Sequence, residues 1–147
     1  MLSVDVNVLV YAFDADSPHH TRARQVLHDS AVTREPLVLF PAVITGFLRV
    51  VTDRRILTQP ADPAEALAFL GGVVNWPHAR VIDIGPRWWD AFAALAEEHA
   101  PRGAEVSDVS LAAMAMERGV TWVSFDRGFA RFRGLDWVNP AENAPSP

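Results

Sequence analysis

Three aspartates stand at positions where their carboxylates could act on one ion. Asp5 follows the short apolar run 2–4, Asp126 ends a second apolar run that begins at Thr121, and Asp108 lies near the start of an Ala- and Met-rich segment. Three ionised carboxylates repel one another at close range unless a cation neutralises them. Mg²⁺ binds one or two carboxylates and keeps several waters, and Mn²⁺ accepts the same oxygen ligands. The pattern therefore predicts an acidic site for a hard divalent cation.

Each aspartate also has a simpler explanation. Asp5 could cap a helix that follows it, and Asp108 would be favourable in a first helical turn, where acids interact well with the helix dipole. Asp126 could begin a turn, with Gly128 two residues later. Spacing alone leaves both alternatives open for every one of the three. Histidine offers no rival metal site, because the five histidines are scattered or, where adjacent, point about 100° apart on a helix.

Apolar, β-prone runs alternate with segments of helical periodicity along the whole chain. We predict strands at 2–4, 37–40, 81–82, 121–125 and 136–139. We predict helices at 6–13, 18–31, 41–52, 63–74, 86–100 and 108–118, with a short helical turn at 128–133. Ser17 and Ser107 are expected to cap the helices that follow them.

The alternation predicts an α/β fold, with a central parallel sheet of four to five strands and helices on both faces. Right-handed crossovers bring the carboxyl ends of all the strands to one edge of such a sheet. Asp5 and Asp126 are then expected at the same edge, and Asp108 opens the helix that leads into the fourth strand. The three acids can converge, although spacing does not require it.

Length and composition limit the classes of function. We expect the 147 residues to form one domain over 1–140, with a flexible Pro- and Asn-containing tail at 141–147. The absence of cysteine excludes thiolate catalysis and Cys-bound zinc. All 13 basic residues are arginine, so mechanisms that need a lysine, a nucleotide-binding P-loop among them, are excluded. We predict no nucleotide cofactor and no membrane span, and a cytoplasmic location.

The charge balance is less decisive. A net charge of −5 disfavours long-range attraction of nucleic acid, but it permits local contacts with phosphate. Two groups of arginines could make such contacts, or could be ordinary solvated surface residues. The groups are Arg49, Arg54 and Arg55, and Arg127, Arg131 and Arg133.

Three motifs resemble those of PIN-domain ribonucleases. The segment 4–9, VDVNVL, is similar to that family's opening strand with D-x-N-x-L. The segment 107–115, SDVSLAAMA, resembles its D-x-x-L-A-A-x-A helix, and 123–129, VSFDRGF, its T-x-D-x-x-F strand end. The segment 129–137 is close to the end of bacterial VapC-type toxins. The order and spacing match over essentially the whole chain.

The resemblance implies a PIN-like three-layer α/β/α fold and a Mg²⁺- or Mn²⁺-dependent endoribonuclease, the toxin of a bacterial type II toxin–antitoxin pair. It places metal ligands and catalytic acids at Asp5, Asp108 and Asp126. Candidate substrate-binding residues are Asn7, Arg49 and Ser124. The implied partners are an RNA substrate, a cognate antitoxin and a second copy of the chain in a homodimer.

Two departures from the family pattern make the site poorer in carboxylates. Gly46 stands where the family has a glutamate, and Gly128 where many members have a further aspartate. Glu105 could supply a missing oxygen, or could be an ordinary loop acid. The alternative function is therefore a catalytically degenerate PIN-like domain that binds RNA or protein. We favour an active enzyme, because three carboxylates still meet the requirement of magnesium.

An aspartyl-phosphate phosphatase, a second enzymatic class with an acid after a strand, is rejected. Asn7 replaces the second acid of its D-x-D motif, and the downstream lysine is absent.

Several large side chains exceed what a small core needs, and we expect them to form a surface for protein partners. They are Phe47, Trp88, Trp89, Phe92 and Trp137.

Overall fold

The computed structural model of the chain describes residues 1–57 and 59–142. Its strands are β1 (Leu2–Val4), β2 (Leu37–Leu39), β3 (Ala79–Val81), β4 (Thr121–Val123) and β5 (Trp137–Val138). Its helices are α1 (Val6–Phe13), α2 (His20–Thr33), α3 (Pro41–Thr52), α4 (Pro63–Val74), α5 (Trp88–His99) and α6 (Glu105–Arg118). A 3₁₀ helix follows β4 at Arg127–Arg131. Most of the tail predicted at 141–147 lies outside the described residues.

All five strands are parallel and follow the order β3-β2-β1-β4-β5. Their short apolar sequences suit a sheet covered on both faces, and β2 is almost completely buried along its length. The order reverses between β1 and β4: the chain first moves outward from β1 to β3, and then returns to the other side of β1. Such a reversal leaves a crevice at the carboxyl ends of β1 and β4.

The helices form the two outer layers. Four helices connect the strands on the outward path and two connect them on the return, so right-handed crossovers place α1–α4 on one face and α5 and α6 on the other. Within these layers α1 packs on α2 and α3, α3 packs on α4, and α5 packs on α6. The predicted α/β/α architecture, with a parallel sheet of four to five strands, is confirmed. No helix in the described part of the chain has the length and apolar character to cross a membrane.

The predicted starts of two helices are wrong. The second helix begins at His20, because the Ser17 hydroxyl accepts a hydrogen bond from the His19 amide in a preceding turn instead of capping the helix. The sixth begins at Glu105, and not after Ser107. The Glu105 carboxylate there accepts the Arg102 amide at 2.9 Å, which stabilises an earlier first turn.

Two further predicted boundaries differ from the structure by about two residues. The third strand is Ala79–Val81, because those residues pair with the full length of β2, and the fifth helix begins at Trp88 and not at Pro86. The Glu117 carboxylate accepts the amides of Gly85 and Arg87, which holds residues 85–87 as a turn ahead of that helix.

The prediction that Phe47 lies at the surface is wrong. Phe47 is fully buried, and the centre of its ring lies 5.6 Å from that of Phe13 and 5.4 Å from that of Phe69. Because α3 lies between α1 and α4, the α3 side chains that face either of these helices are covered. Trp89, by contrast, is 64% exposed.

Candidate active site

The end of β1 and the end of β4 bring two of the predicted acids to one place. Val4 pairs with Val123 in adjacent parallel strands, and the Asp5 amide donates to the Val123 carbonyl at 2.9 Å. Asp5 and Ser124 therefore leave the sheet side by side, with Asp126 two residues further on. This is the edge where the strand order reverses, the usual place for ligand chemistry in an open parallel sheet.

A network of short hydrogen bonds holds Asp5. The Ser124 hydroxyl donates to Asp5 Oδ2 at 2.6 Å, and Asn7 Nδ2 donates to the same oxygen at 2.8 Å. The Val6 amide donates to Asp5 Oδ1 at 2.7 Å, so Asp5 also caps α1. The cap and the proposed ligand are thus the same side chain.

Ser124 and Asn7 extend the network to the other strand end. The Ser124 hydroxyl accepts the Asp126 amide at 3.0 Å, and Asn7 Oδ1 accepts the Phe125 amide at 3.3 Å. Asp126 Oδ1 accepts the Gly128 amide at 2.7 Å and caps the 3₁₀ helix. Two polar residues from the predicted set therefore fix the orientation of the backbone that carries Asp126.

Asp108 approaches from the opposite layer, in the first turn of α6. Its side chain is 31% exposed, and its Oδ2 lies 3.4 Å from Arg131 Nη2. Partial burial raises its pKa, the Arg131 charge and hydrogen bond lower it, and repulsion by Asp126 and Glu105 raises it again. The positive end of the α6 dipole and the charges of the neighbouring acids therefore act on the same carboxylate, that of Asp108.

The three acids act on one another electrostatically. Burial raises the Asp5 pKa to about 6, against hydrogen bonds from Ser124 and the Val6 amide that lower it, and the charges of Asp108 and Asp126 raise it further. Asp5 is only 7% exposed, so its charge is expensive to keep without a cation nearby. A divalent ion would relieve that cost.

The donor set fits a hard cation. All the ligands on offer are carboxylate oxygens, and Asp108 Oδ1 and Asp126 Oδ2 accept no hydrogen bond from residues 1–57 and 59–142. Within those ranges no three acidic, histidine or cysteine side chains are gathered into a group ready to hold a metal ion. Asp5 bonds instead to Ser124 and Asn7, and Asp108 pairs with Arg131.

Gly46 and Gly128, where the resemblance implied acids, each have a neighbour close to the position of the missing β-carbon. A β-carbon at Gly46 would lie 2.7 Å from Val6 Cγ2, so a side chain there would require Val6 to shift. A β-carbon at Gly128 would lie 3.0 Å from Arg131 Nη1. The space beside Gly46 is thus taken by an apolar side chain, and the space beside Gly128 by the Arg131 guanidinium and the Asp126 carboxylate.

Two candidates lie outside the network. Arg49 is exposed in the last turn of α3, and its charge acts on Asp53. Glu105 lies near Asp108 but accepts the Arg102 amide in the turn before α6. Sequence reasoning placed Arg131 only in a basic cluster; the short spacing from Asp126 through Gly128 was the signal that could have linked it to the acids.

Comparison with known proteins identifies close relatives. A family model described as the PIN domain matches residues 2–135. The chain is 45% identical over 142 residues to ribonuclease VapC43 of Mycobacterium tuberculosis, covering 97% of each chain. It is 34% identical over 140 residues to ribonuclease VapC25 of the same organism, covering 95% of this chain and 99% of that one.

A solved structure shares the fold at lower sequence identity. The chain superposes with a TM-score of 0.71 on a chain from VapBC2 of Rickettsia felis, determined bound to a DNA fragment from their promoter. The match has 16% identity and covers 94% of this chain and 97% of the other. The parallel sheet and its two helical layers are therefore common to both molecules.

Proposed function

This chain belongs to the PIN domain family, and on that premise we propose that it is a Mg²⁺- or Mn²⁺-dependent endoribonuclease, the toxin of a toxin–antitoxin pair. The relatives named as VapC ribonucleases support the activity, because they match over nearly their whole length. The metal, its ligands and the toxin role in this chain are parts of the proposal.

The observation that carries the proposal is the linked pair of strand ends. Ser124 joins Asp5 to the Asp126 amide within the crevice where the strand order reverses, and the charges of Asp108 and Asp126 act on Asp5. Structural acids seldom need such an arrangement, since a buried carboxylate with raised pKa is a cost to folding. The need to bind a cation would explain why the protein has a buried carboxylate that costs folding free energy.

In the proposed reaction the carboxylates of Asp5, Asp108 and Asp126 hold the ion. When bound, the ion supplies positive charge that activates water and stabilises the charge developing on the phosphate. Ser124 and Asn7 both donate to Asp5 Oδ2, while Asp5 Oδ1 accepts one hydrogen bond, from the Val6 amide. Asn7 and Ser124 thereby act as positioning residues.

The chemistry is hydrolysis of a phosphodiester bond. A water oxygen forms a bond to phosphorus, the bond from phosphorus to one ribose oxygen breaks, and that oxygen gains a proton as the water loses one. No histidine contacts the acids among the described residues, so solvent and the carboxylates are left to carry the proton.

We propose an antitoxin and a second copy of the chain as partners, and the cytoplasm as the location. Exposed apolar side chains support a protein interface, above all Trp89 at 64% exposure, with Val81 and Val106 also exposed. Arg49 remains a proposed contact for the RNA backbone, because its guanidinium is free to reach solvent at the end of α3.

Expression in cells without an antitoxin tests the proposal. We expect the parent chain to arrest growth and Asp5→Asn to relieve the arrest, because the amide keeps the shape of the side chain and removes the charge that holds the cation. An Asp29→Asn variant, which changes an acid 58% exposed on α2, should remain toxic. A protein that binds RNA but neither cleaves it nor arrests growth would be the degenerate binding module.

A further inference from the structure

Arg131 lies among the acids that the proposed function assigns to the metal. Its Nη2 lies 3.4 Å from Asp108 Oδ2, and its Nη1 lies 3.0 Å from the position that a β-carbon would have at residue 128. Asp126 Oδ1 also lies 3.0 Å from that position, so the guanidinium is in the neighbourhood of Asp126, but of the three acids its ion pair is with Asp108. Of the basic side chains in residues 1–57 and 59–142, only this one makes an ion pair with any of the three acids.

The Arg131 guanidinium lies over an aromatic ring, and its contact with Asp108 is long. Phe129 and Phe132 are each 2% exposed and anchor both sides of residue 131, and the Arg131 guanidinium carbon lies 4.5 Å from the centre of the Phe132 ring. At 3.4 Å, the contact with Asp108 is longer than the 2.7–2.9 Å that is usual for charge-assisted hydrogen bonds. The side chain remains 35% exposed, so its donors reach solvent in the crevice.

We propose that Arg131 binds the phosphate of the RNA at the scissile position, and that its ion pair with Asp108 holds it at the site until the RNA arrives. The inference rests on the proposed function and extends it to a residue outside the set of acids. Arginine suits this role, because its planar fork of donors matches the oxygens of a phosphate.

The local sequence explains why a cation is needed at this position. Neither Gly46 nor Gly128 offers a carboxylate, so the proposed site has three aspartates to hold divalent charge. A guanidinium adds positive charge that can act on the phosphate without needing carboxylates of its own. If Asp108 gave up its contact with Arg131 to hold a cation, the guanidinium would lose that partner and could bind the phosphate.

The first test measures the binding of Mn²⁺ alone, by calorimetric titration. Arg131→Gln should raise the affinity about three- to tenfold, because a like charge beside the ligands is removed. The matched control is Arg127→Gln in the same 3₁₀ helix, where the native side chain pairs with Glu142 at 3.0 Å; its affinity should stay within about twofold of the parent. An unchanged or weaker affinity in Arg131→Gln would overturn the proposal.

The second test measures RNA binding in an Asp5→Asn background, so that cleavage does not interfere. Fluorescence anisotropy with a short labelled single-stranded RNA gives the affinity at several salt concentrations. Loss of one phosphate contact in Arg131→Gln should reduce the slope of log affinity against log salt by about 0.7. Arg131→Lys should keep the slope, and so should Arg127→Gln. Equal losses in Arg131→Gln and Arg127→Gln would mean general surface charge and not a phosphate site.

Cleavage separates this proposal from the one it rests on. At saturating Mn²⁺ Arg131→Gln should lower kcat/KM about a hundredfold, as expected for removal of a group that stabilises developing charge, with Arg131→Lys partly restored. If the parent cleaves RNA and Arg131→Gln cleaves equally well, the role of Arg131 fails and the ribonuclease stands. If the parent never cleaves while both binding tests succeed, the ribonuclease fails and Arg131 remains a phosphate-binding residue.

Discussion

The Ser124 hydroxyl donates a 2.6 Å hydrogen bond to Asp5 Oδ2 across the junction of two parallel strands. The same oxygen of Ser124 accepts the Asp126 amide at 3.0 Å. One small side chain, fully buried, therefore orients a carboxylate from β1 and the backbone that carries a carboxylate from β4. The positions of Asp5 and Asp126 therefore both depend on Ser124.

Replacing this serine should cost both stability and metal binding. In Ser124→Ala, Asp5 loses its shortest hydrogen bond and the Asp126 amide loses its acceptor, so the free energy of unfolding should fall by about 1–3 kcal/mol in urea titrations at pH 7. The Asp5 pKa should rise further, and the affinity for Mn²⁺ should fall severalfold.

Ser30→Ala is the matched control. Ser30 is also buried, at 2% exposure, and donates to the Glu35 carbonyl at 3.1 Å, away from the acids. It should cost about 1 kcal/mol of unfolding free energy and leave the Mn²⁺ affinity unchanged. Equal Mn²⁺ affinities in the two variants would show that Ser124 supports the fold only.

The stability of the metal-free protein should fall as pH rises. Burial raises the Asp5 pKa from 3.8 to about 6, so between these values the folded state binds more protons than the unfolded state. The free energy of unfolding then decreases with increasing pH, by up to about 3 kcal/mol from this group. Urea titrations between pH 4 and pH 7 in EDTA check the sign, and Asp5→Asn should flatten the curve. A parent curve that rises through this range and an unchanged curve in Asp5→Asn would contradict the assignment.

Metal binding should show the opposite dependence on pH. A cation must displace the proton from Asp5, and so the Mn²⁺ affinity should be level above about pH 6 and fall about tenfold for each unit below it. Adding Mn²⁺ at pH 7 should therefore stabilise the protein more than it does at pH 5. Thermal unfolding with and without the metal measures this difference, and equal stabilisation at both pH values would exclude Asp5 as a ligand.

Gly46 needs a compensated test. A side chain at this position would meet Val6 Cγ2 at 2.7 Å, so Gly46→Glu alone should destabilise the protein even though glycine costs a helix about 1 kcal/mol. With Val6→Ala the glutamate has room, and the double variant should bind Mn²⁺ more tightly than either single variant. Calorimetry on all four proteins gives the coupling between the two positions. A coupling of zero would show that Val6 does not exclude a glutamate at residue 46.

Two features could be predicted from the sequence: the architecture, and the position of Asp5 and Asp126 at one edge of the sheet. Strand ends in a parallel sheet are fixed to one edge, so residues that follow strands converge whatever the loops do. Asp108 was less certain, because its place depends on the turn before α6, where Glu105 starts the helix earlier than the serine pattern indicated.

Contacts between elements distant in the chain were not visible in the sequence. The close approach of Gly46 to Val6 and the burial of Phe47 both depend on how α3 packs between its neighbours, and periodicity along one helix does not specify that distance. The pairing of Arg131 with Asp108 joins two elements in the same way. A basic cluster in the sequence gave no reason to select one arginine.

The most direct test of the account is RNA cleavage by purified protein with Mn²⁺, comparing the parent, Asp5→Asn and Asp29→Asn. We expect the parent and Asp29→Asn to cleave at similar rates, both to stop when EDTA is added, and Asp5→Asn to lose at least about a hundredfold of the rate, because its amide does not hold the cation. Cleavage that persists equally in Asp5→Asn and in EDTA would contradict the metal-dependent site assigned here.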